Sequence, residues 1–348
     1  MSTSKKTTES LHKVIILGAG ATRGASIYES KSIKPPLDND FFSILEKLSC
    51  KNKKLRDWLK QLRDCMGIPL NGVSMESVFT KLETLANFLP KIKPDKGPTV
   101  KRHKNLLNKY SLHIAYCFNE IKRINSSEQE SCEYHNKIVK SLTTNDCIIS
   151  FNYDCLIDAA LKTSANKKWN ASSGYGIDFS GNVDKWHEHK GKKGKKAKQS
   201  IKLLKLHGSL NWKIGSNSKI ELRDYQARYG TNDRSFNEII PPVWNKDISE
   251  RSHFNKIWEQ ARIALQNANT LVIIGYSLPD TDLLSQALLQ IDTAKKRNSN
   301  LKTLTIVNPD PFIRKKIINI LNNSINSSTR ILEYNTLKEY SNTLDNSQ

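Results

Sequence analysis

Three short segments of the 348-residue chain place groups able to hold or cleave a phosphorylated ligand directly after apolar runs. Gly18-Ala19-Gly20-Ala21-Thr22 follows Val14-Ile15-Ile16-Leu17, where backbone N–H groups and a helix N-terminus can hold a pyrophosphate. Glycine suits this turn because a side chain would block the phosphates, although a tight turn of the same composition can also hold nothing. Gly24 stands one position late for the dinucleotide fingerprint, and no second strand ends in an acid about twenty residues on, which disfavours a hydride-transferring dehydrogenase. Asn152-Tyr153-Asp154 follows the apolar run 147–151 and offers an amide and a carboxylate, either to a ligand or to the cap of a helix over 156–161. His207-Gly208-Ser209 follows 203–206. Its imidazole, with an unperturbed pKa near ~6.5, is either a general base or a hydrogen-bonded structural group.

The elements that must position these groups read as buried parallel strands at 14–17, 147–151, 201–206, 270–274, 301–307 and 330–334. Between them Phe254, Ile257, Trp258, Ala261 and Leu265 form one helical stripe, and Leu283, Leu284, Ala287, Leu288 and Ile291 another. The resulting alternation of helix and strand implies right-handed crossovers and an α/β, Rossmann-like parallel sheet. Residues 40–142 carry mainly helical spacing: Leu55, Trp58, Leu59 and Leu62; then Met75, Val78, Phe79, Leu82, Leu85 and Leu89; then Leu106, Leu107, Tyr110, Phe118 and Ile121. They read as a helical module inserted into a sheet domain spanning 13–335, with a disordered leader at 1–12, a long loop over about 162–200 and a polar tail at 336–348.

Lys and Arg number 55 against 34 Asp and Glu, a formal charge of +21. Eight lysines and no acid lie between Lys190 and Lys205, which suits contact with nucleic acid or an acidic partner, or a solvated loop. No aromatic residue interleaves them, so the segment specifies no base stacking. His187 and His189 beside it do not make a metal site. Apolar runs fall far short of the ~20 residues of a membrane span, and the first 12 residues lack the apolar centre of a secretory signal, so a cytoplasmic protein is expected. Six cysteines never occur as Cys-x-x-Cys, which argues against a zinc ribbon and for reduced thiols.

Taken in order, the three segments resemble the motifs of the sirtuin family: a Gly-Ala-Gly phosphate loop, Asn-x-Asp, and a catalytic His-Gly. Pro36-Leu37-Asp38-Asn39-Asp40-Phe41 is similar to the family's Pro-Asp-Phe segment, Gly275-Tyr276-Ser277-Leu278 to its Gly-Thr-Ser-Leu loop, and Asn308 to the Asn ending a late strand. The four-cysteine zinc module of sirtuin deacylases is missing, and Ser74-Met75-Glu76-Ser77-Val78-Phe79 resembles the prokaryotic sirtuin-like branch of antiphage defence. The resemblance implies NAD as substrate, no metal, and hydrolysis to nicotinamide and ADP-ribose that depletes the infected cell in abortive infection.

By the same resemblance His207 is the base, Asn152 orients the ribose or the water, and Asp154 accepts from the nicotinamide carboxamide. Gly18, Ala19, Gly20, Ala21, Thr22, Asp40, Gly275 and Ser277 bind the cofactor, with Thr22 and Ser277 at the phosphates and Asn308 at the adenosine ribose. Asn152 and His207 are expected to face solvent at strand ends. The implied partners are further copies of the chain in a homo-oligomer, a HerA-type ATPase or a short Argonaute, with no membrane. Two rivals are a deacylase or ADP-ribosyltransferase, which needs a peptide groove that the absent zinc module does not supply, and a non-enzymatic subunit using its basic face, which has no need of Gly18, Gly20, Asn152 and His207 together.

Overall fold

The computed structural model of the chain describes residues 12–87, 98–125, 131–180, 200–215, 219–223, 237–243, 251–280, 282–290 and 301–345. Its centre is a sheet of six parallel strands: β1 (Lys13–Leu17), β2 (Cys147–Ser150), β3 (Lys202–Lys205), β7 (Thr270–Ile274), β8 (Thr303–Val307) and β9 (Arg330–Tyr334). They are ordered β3-β2-β1-β7-β8-β9. The chain therefore leaves β1 toward one side, then returns to build the other, which makes the β2-β1-β7 neighbourhood the switch point where open α/β sheets bind ligands. β1 and β7 are buried from Val14 to Leu17 and from Leu271 to Ile274, as an apolar run between two layers requires.

Register carries the strand ends to a common edge. Leu17 pairs with Ser150 and Ile274, Ser150 with Lys205, and Ile274 with Val307. The ladder then runs one residue further, through Phe151 N–H to Leu17 O, Leu206 N–H to Ser150 O, Gly18 N–H to Ile274 O and Gly275 N–H to Val307 O. Gly18, Phe151, Leu206 and Gly275 thus line one rim, and Asn308 joins it by donating its N–H to Tyr334 O.

Between β1 and β2 lie helices Phe41–Leu48, Lys53–Met66, Met75–Asn87, Pro98–Asn108, Tyr110–Ile124 and Glu133–Lys140. Phe42, Phe79 and Trp58 pack in series, with ring centroids 6.1 and 6.5 Å apart, and His113 lies 4.1 Å from Trp58. The last apolar stripe of this region is divided between two helices that break at Lys109, rather than one, because Lys109 leaves the chain non-helical before Tyr110. Tyr110 donates to Ile239 O, tying these helices to a feature the periodicity does not reveal. That feature is a three-stranded antiparallel sheet, β5-β4-β6, formed by β4 (Gly208–Ile214), β5 (Ile220–Leu222) and β6 (Asn237–Ile239).

Two segments differ from expectation. The loop expected over 162–200 is helical to Ser164 and again at Ala171–Gly174, where Asn170 caps the helix by accepting the Ser173 N–H and Tyr175 behind it is fully buried. The tail at 336–348 contains a helix, Leu337–Thr343, capped by Thr336 and anchored by buried Leu337 and Tyr340. Residues 1–11 and Lys190 to Lys198, with His187 and His189, lie outside the described residues. Among the described residues no helix is long and apolar enough to cross a membrane.

Candidate active site

At the switch point two loops meet backbone to backbone. Gly20 N–H donates to Gly275 O at 2.8 Å, alongside the Gly18 bond to Ile274. A Cβ on Gly18 would stand 2.5 Å from Tyr276 Cα, and one on Gly20 2.7 Å from Gly275 Cα. Gly275 has φ +59°, and its Cβ would fall 2.2 Å from Ala21 N. The glycines are therefore required by the neighbouring loop itself. Three of the amides expected to face a ligand, those of Gly18, Gly20 and Ala21, are already taken by protein carbonyls. Ala19 is exposed on the rim, whereas Ala21 and Thr22 are buried.

The end of β2 is bound to the same loop. Asn152 Nδ2 donates to Gly18 O at 2.9 Å and to Thr22 Oγ1 at 3.0 Å, and Thr22 Oγ1 donates to Asp154 Oδ2 at 2.6 Å. Asp154 Oδ1 accepts the Leu156 amide at the start of helix Leu156–Ser164. Both oxygens of Asp154 thus hold the protein, as a helix-capping acid does. Beneath this turn Lys205 Nζ donates to Asp154 O and pairs with Asp158 Oδ2 at 3.1 Å, both side chains wholly buried. Burial opposes the lysine's charge, but Asp158 and its neighbours outweigh it and raise the pKa. Lys205, counted with the lysine-rich segment from sequence, is a structural ion, and half-buried Lys202 donates to Ser173 O.

His207, two residues past the end of β3, is 8 % exposed, so it is buried and does not face solvent as expected. Its ring sits among Phe151, Tyr153 and Trp258, with centroids 5.3, 6.3 and 6.4 Å away. Asp282 Oδ2 lies 3.8 Å from His207 Nε2. Phe151 stacks on Tyr276 at 4.3 Å, joining the histidine to the Gly275 loop. Burial, reinforced by Asp282, holds the Tyr276 phenol protonated, and burial reinforced by the Glu76 and Asp282 carboxylates does the same for Tyr153. Glu76, 5 % exposed at the start of helix Met75–Asn87, therefore belongs to this neighbourhood. Its amide is held by Asp38 Oδ1 at 3.0 Å.

The remaining expected residues are spread along the rim. Ser277 is exposed in a turn where Leu278 adopts φ +50°. Asn308 is buried, its Oδ1 accepting the Asp310 amide at 3.0 Å. Asp40 pairs with Arg23 at 2.6 Å and accepts the Leu37 amide, so its carboxylate ties the segment around Pro36 to the short helix Ala19–Arg23 after the glycine loop. Among the described residues no three His, Cys, Asp or Glu side chains cluster as a metal site, and all six cysteines are free. Sequence reasoning missed Asp282 and gave Glu76 no role. Asp282 directly precedes the stripe beginning at Leu283, a helix-cap signal, and Glu76 is an acid set into an otherwise apolar helix face.

The arrangement joins an imidazole, an amide and two glycine loops at the carboxyl edge of a parallel sheet, the edge at which open α/β sheets bind ligands. No curated protein matches the chain. The SIR2-like domain family matches residues 146–327, from the turn before β2 to the turn before β9. That is just over half of the 348 residues, and β1 with its glycine loop fills the centre of the matched sheet. Such a domain implies use of NAD, and by this match the chain belongs to the SIR2-like domain family.

Proposed function

We propose that the protein hydrolyses NAD to nicotinamide and ADP-ribose, and that it acts by NAD depletion in antiphage defence under the control of a partner or of its own oligomerisation. The observation that supports the chemistry is that Asn152 and His207 follow adjacent strands, β2 and β3, on the same rim of the sheet as the glycine loops. Cleavage breaks the bond between C1′ and the nicotinamide nitrogen, whose positive charge is neutralised by the bond's electron pair. The water oxygen bonds to C1′, and its proton passes to His207. The transition state resembles an oxocarbenium ion, so the gain comes from holding the ribose and guiding the nucleophile. Asn152, its amide hydrogens engaged by Gly18 and Thr22, has its carbonyl oxygen to offer a ribose hydroxyl or the water. The defence role is supported by the residues at 74–79 and by the helices that stand before the Asn-x-Asp turn.

Incubation of the full chain with NAD, with and without an acyl-lysine peptide, tests the reaction class by chromatography. Equal release of nicotinamide and ADP-ribose without peptide is expected. Consumption of NAD only with peptide, accompanied by acyl transfer, would establish the deacylase instead.

A further inference from the structure

We propose that Asp282 is a positioning residue that orients His207 and stabilises its ring as it takes up a proton from the nucleophile, an inference that rests on the NAD-hydrolysis reading. The carboxylate is 3 % exposed and held from several sides. Ser285 Oγ donates to Oδ2 at 2.6 Å, Tyr276 donates to the same oxygen at 3.2 Å, and Ser285 N–H donates to Oδ1 at 3.3 Å. So fixed, Oδ2 stands 3.8 Å from His207 Nε2, ion-pair range for a protonated ring, and such contacts tighten when substrate binds. A carboxylate placed against an imidazole favours the charged ring and restricts its orientation, which is how a buried acid serves a histidine base.

The other groups around the ring do not replace it. Phe151, Tyr153 and Trp258 supply aromatic walls, and Tyr153 donates to Ile240 O while Trp258 donates to Leu206 O. Glu238, beside the histidine's main chain on β6, is paired with His253 at 3.0 Å and Arg251 at 3.4 Å. Glu76 acts on the two tyrosines. Among the described residues, the carboxylate in ion-pair range of a ring nitrogen of His207 is that of Asp282.

Asp282→Asn in the full chain is the test, because Asn keeps the helix cap while removing the charge. Asp282→Ser, which also caps, serves if the first variant fails to fold. The His207 imidazole, titrated by NMR, should become harder to protonate by about one pH unit, a reading independent of turnover. The acidic limb of kcat/KM should move to lower pH by the same amount, with kcat down about 10- to 100-fold and ADP-ribose affinity within about threefold of wild type. An unmoved histidine titration in a folded variant overturns the proposal, as does a moved titration with unchanged kcat. If the wild type leaves NAD intact, the hydrolysis reading fails while the titration still decides whether Asp282 governs the ring.

Discussion

Replacing Gly275 by Ala tests whether the two glycine loops are held by contact with each other. At φ +59° an L residue pays about 1 kcal/mol for left-handed backbone. The new Cβ would lie 2.2 Å from Ala21 N and 2.4 Å from Gly20 C, both backbone atoms, so the loops must part. Overpacking of that kind costs about 1 to 3 kcal/mol, and breaking the Gly20 N–H bond to Gly275 O costs about 1 kcal/mol more. A total near 4 kcal/mol is expected, against a whole-domain stability of about 5 to 15 kcal/mol. Gly67→Ala supplies the control: φ is +67°, yet nothing lies within 4 Å of its Cβ, so only the backbone cost of about 1 kcal/mol applies. Urea denaturation followed by tryptophan fluorescence gives both values, and ADP-ribose calorimetry should show weakened binding for Gly275→Ala alone. Equal destabilisation by the two substitutions would refute the close-contact explanation.

Lys205→Met strands the wholly buried Asp158 carboxylate and should destabilise the protein by about 4 kcal/mol, with Lys205→Met combined with Asp158→Leu recovering most of that stability in denaturant melts. His113, buried against Trp58, has its pKa lowered to about 3 by burial, so below pH ~6.5 the unfolded chain binds the proton that the folded protein refuses. Stability should therefore fall as pH drops from ~6.5, by about 2 kcal/mol at pH ~5, and His113→Phe should remove that part of the acid sensitivity. Replacing Lys192, Lys193, Lys195 and Lys196 with Ser should weaken binding to DNA or RNA in filter binding and flatten its salt dependence by about 0.9 for each phosphate that is no longer neutralised. NAD turnover by those variants should stay the same.

The central sheet is legible in the sequence because its inner parallel strands, covered on both faces, must be short apolar runs, and Gly18, Asn152, His207, Gly275 and Asn308 each follow one; β9, expected as a buried strand, is instead an edge strand that leaves Arg330, Ile331 and Glu333 exposed. The antiparallel sheet is harder to read. In β4 the residues alternate as Ser209-Leu210-Asn211-Trp212-Lys213-Ile214, a period-2 signal, but Ser209 and Asn211 are as buried as Leu210 and Trp212, so polarity does not mark an outer face. β5 and β6 have three residues each, too few to show a period. The pairing of Asp282 with His207 joins positions far apart in sequence, and only tertiary structure brings them together. The glycines are visible in the sequence, yet their cause lies across the sheet: nothing in Gly18-Ala19-Gly20 says that Gly275 packs against it.

The most direct measurement of the central claim is the rate of nicotinamide release from NAD by the wild-type chain, His207→Ala and Asn152→Ala, each shown folded by its denaturation midpoint. The wild type is expected to release nicotinamide without any acyl acceptor, and each variant to do so at least ~10²-fold more slowly, the size expected for a missing base or positioning group. Undiminished release by folded His207→Ala would contradict the central claim, since the bond would then be broken without the imidazole that β3 delivers to the rim.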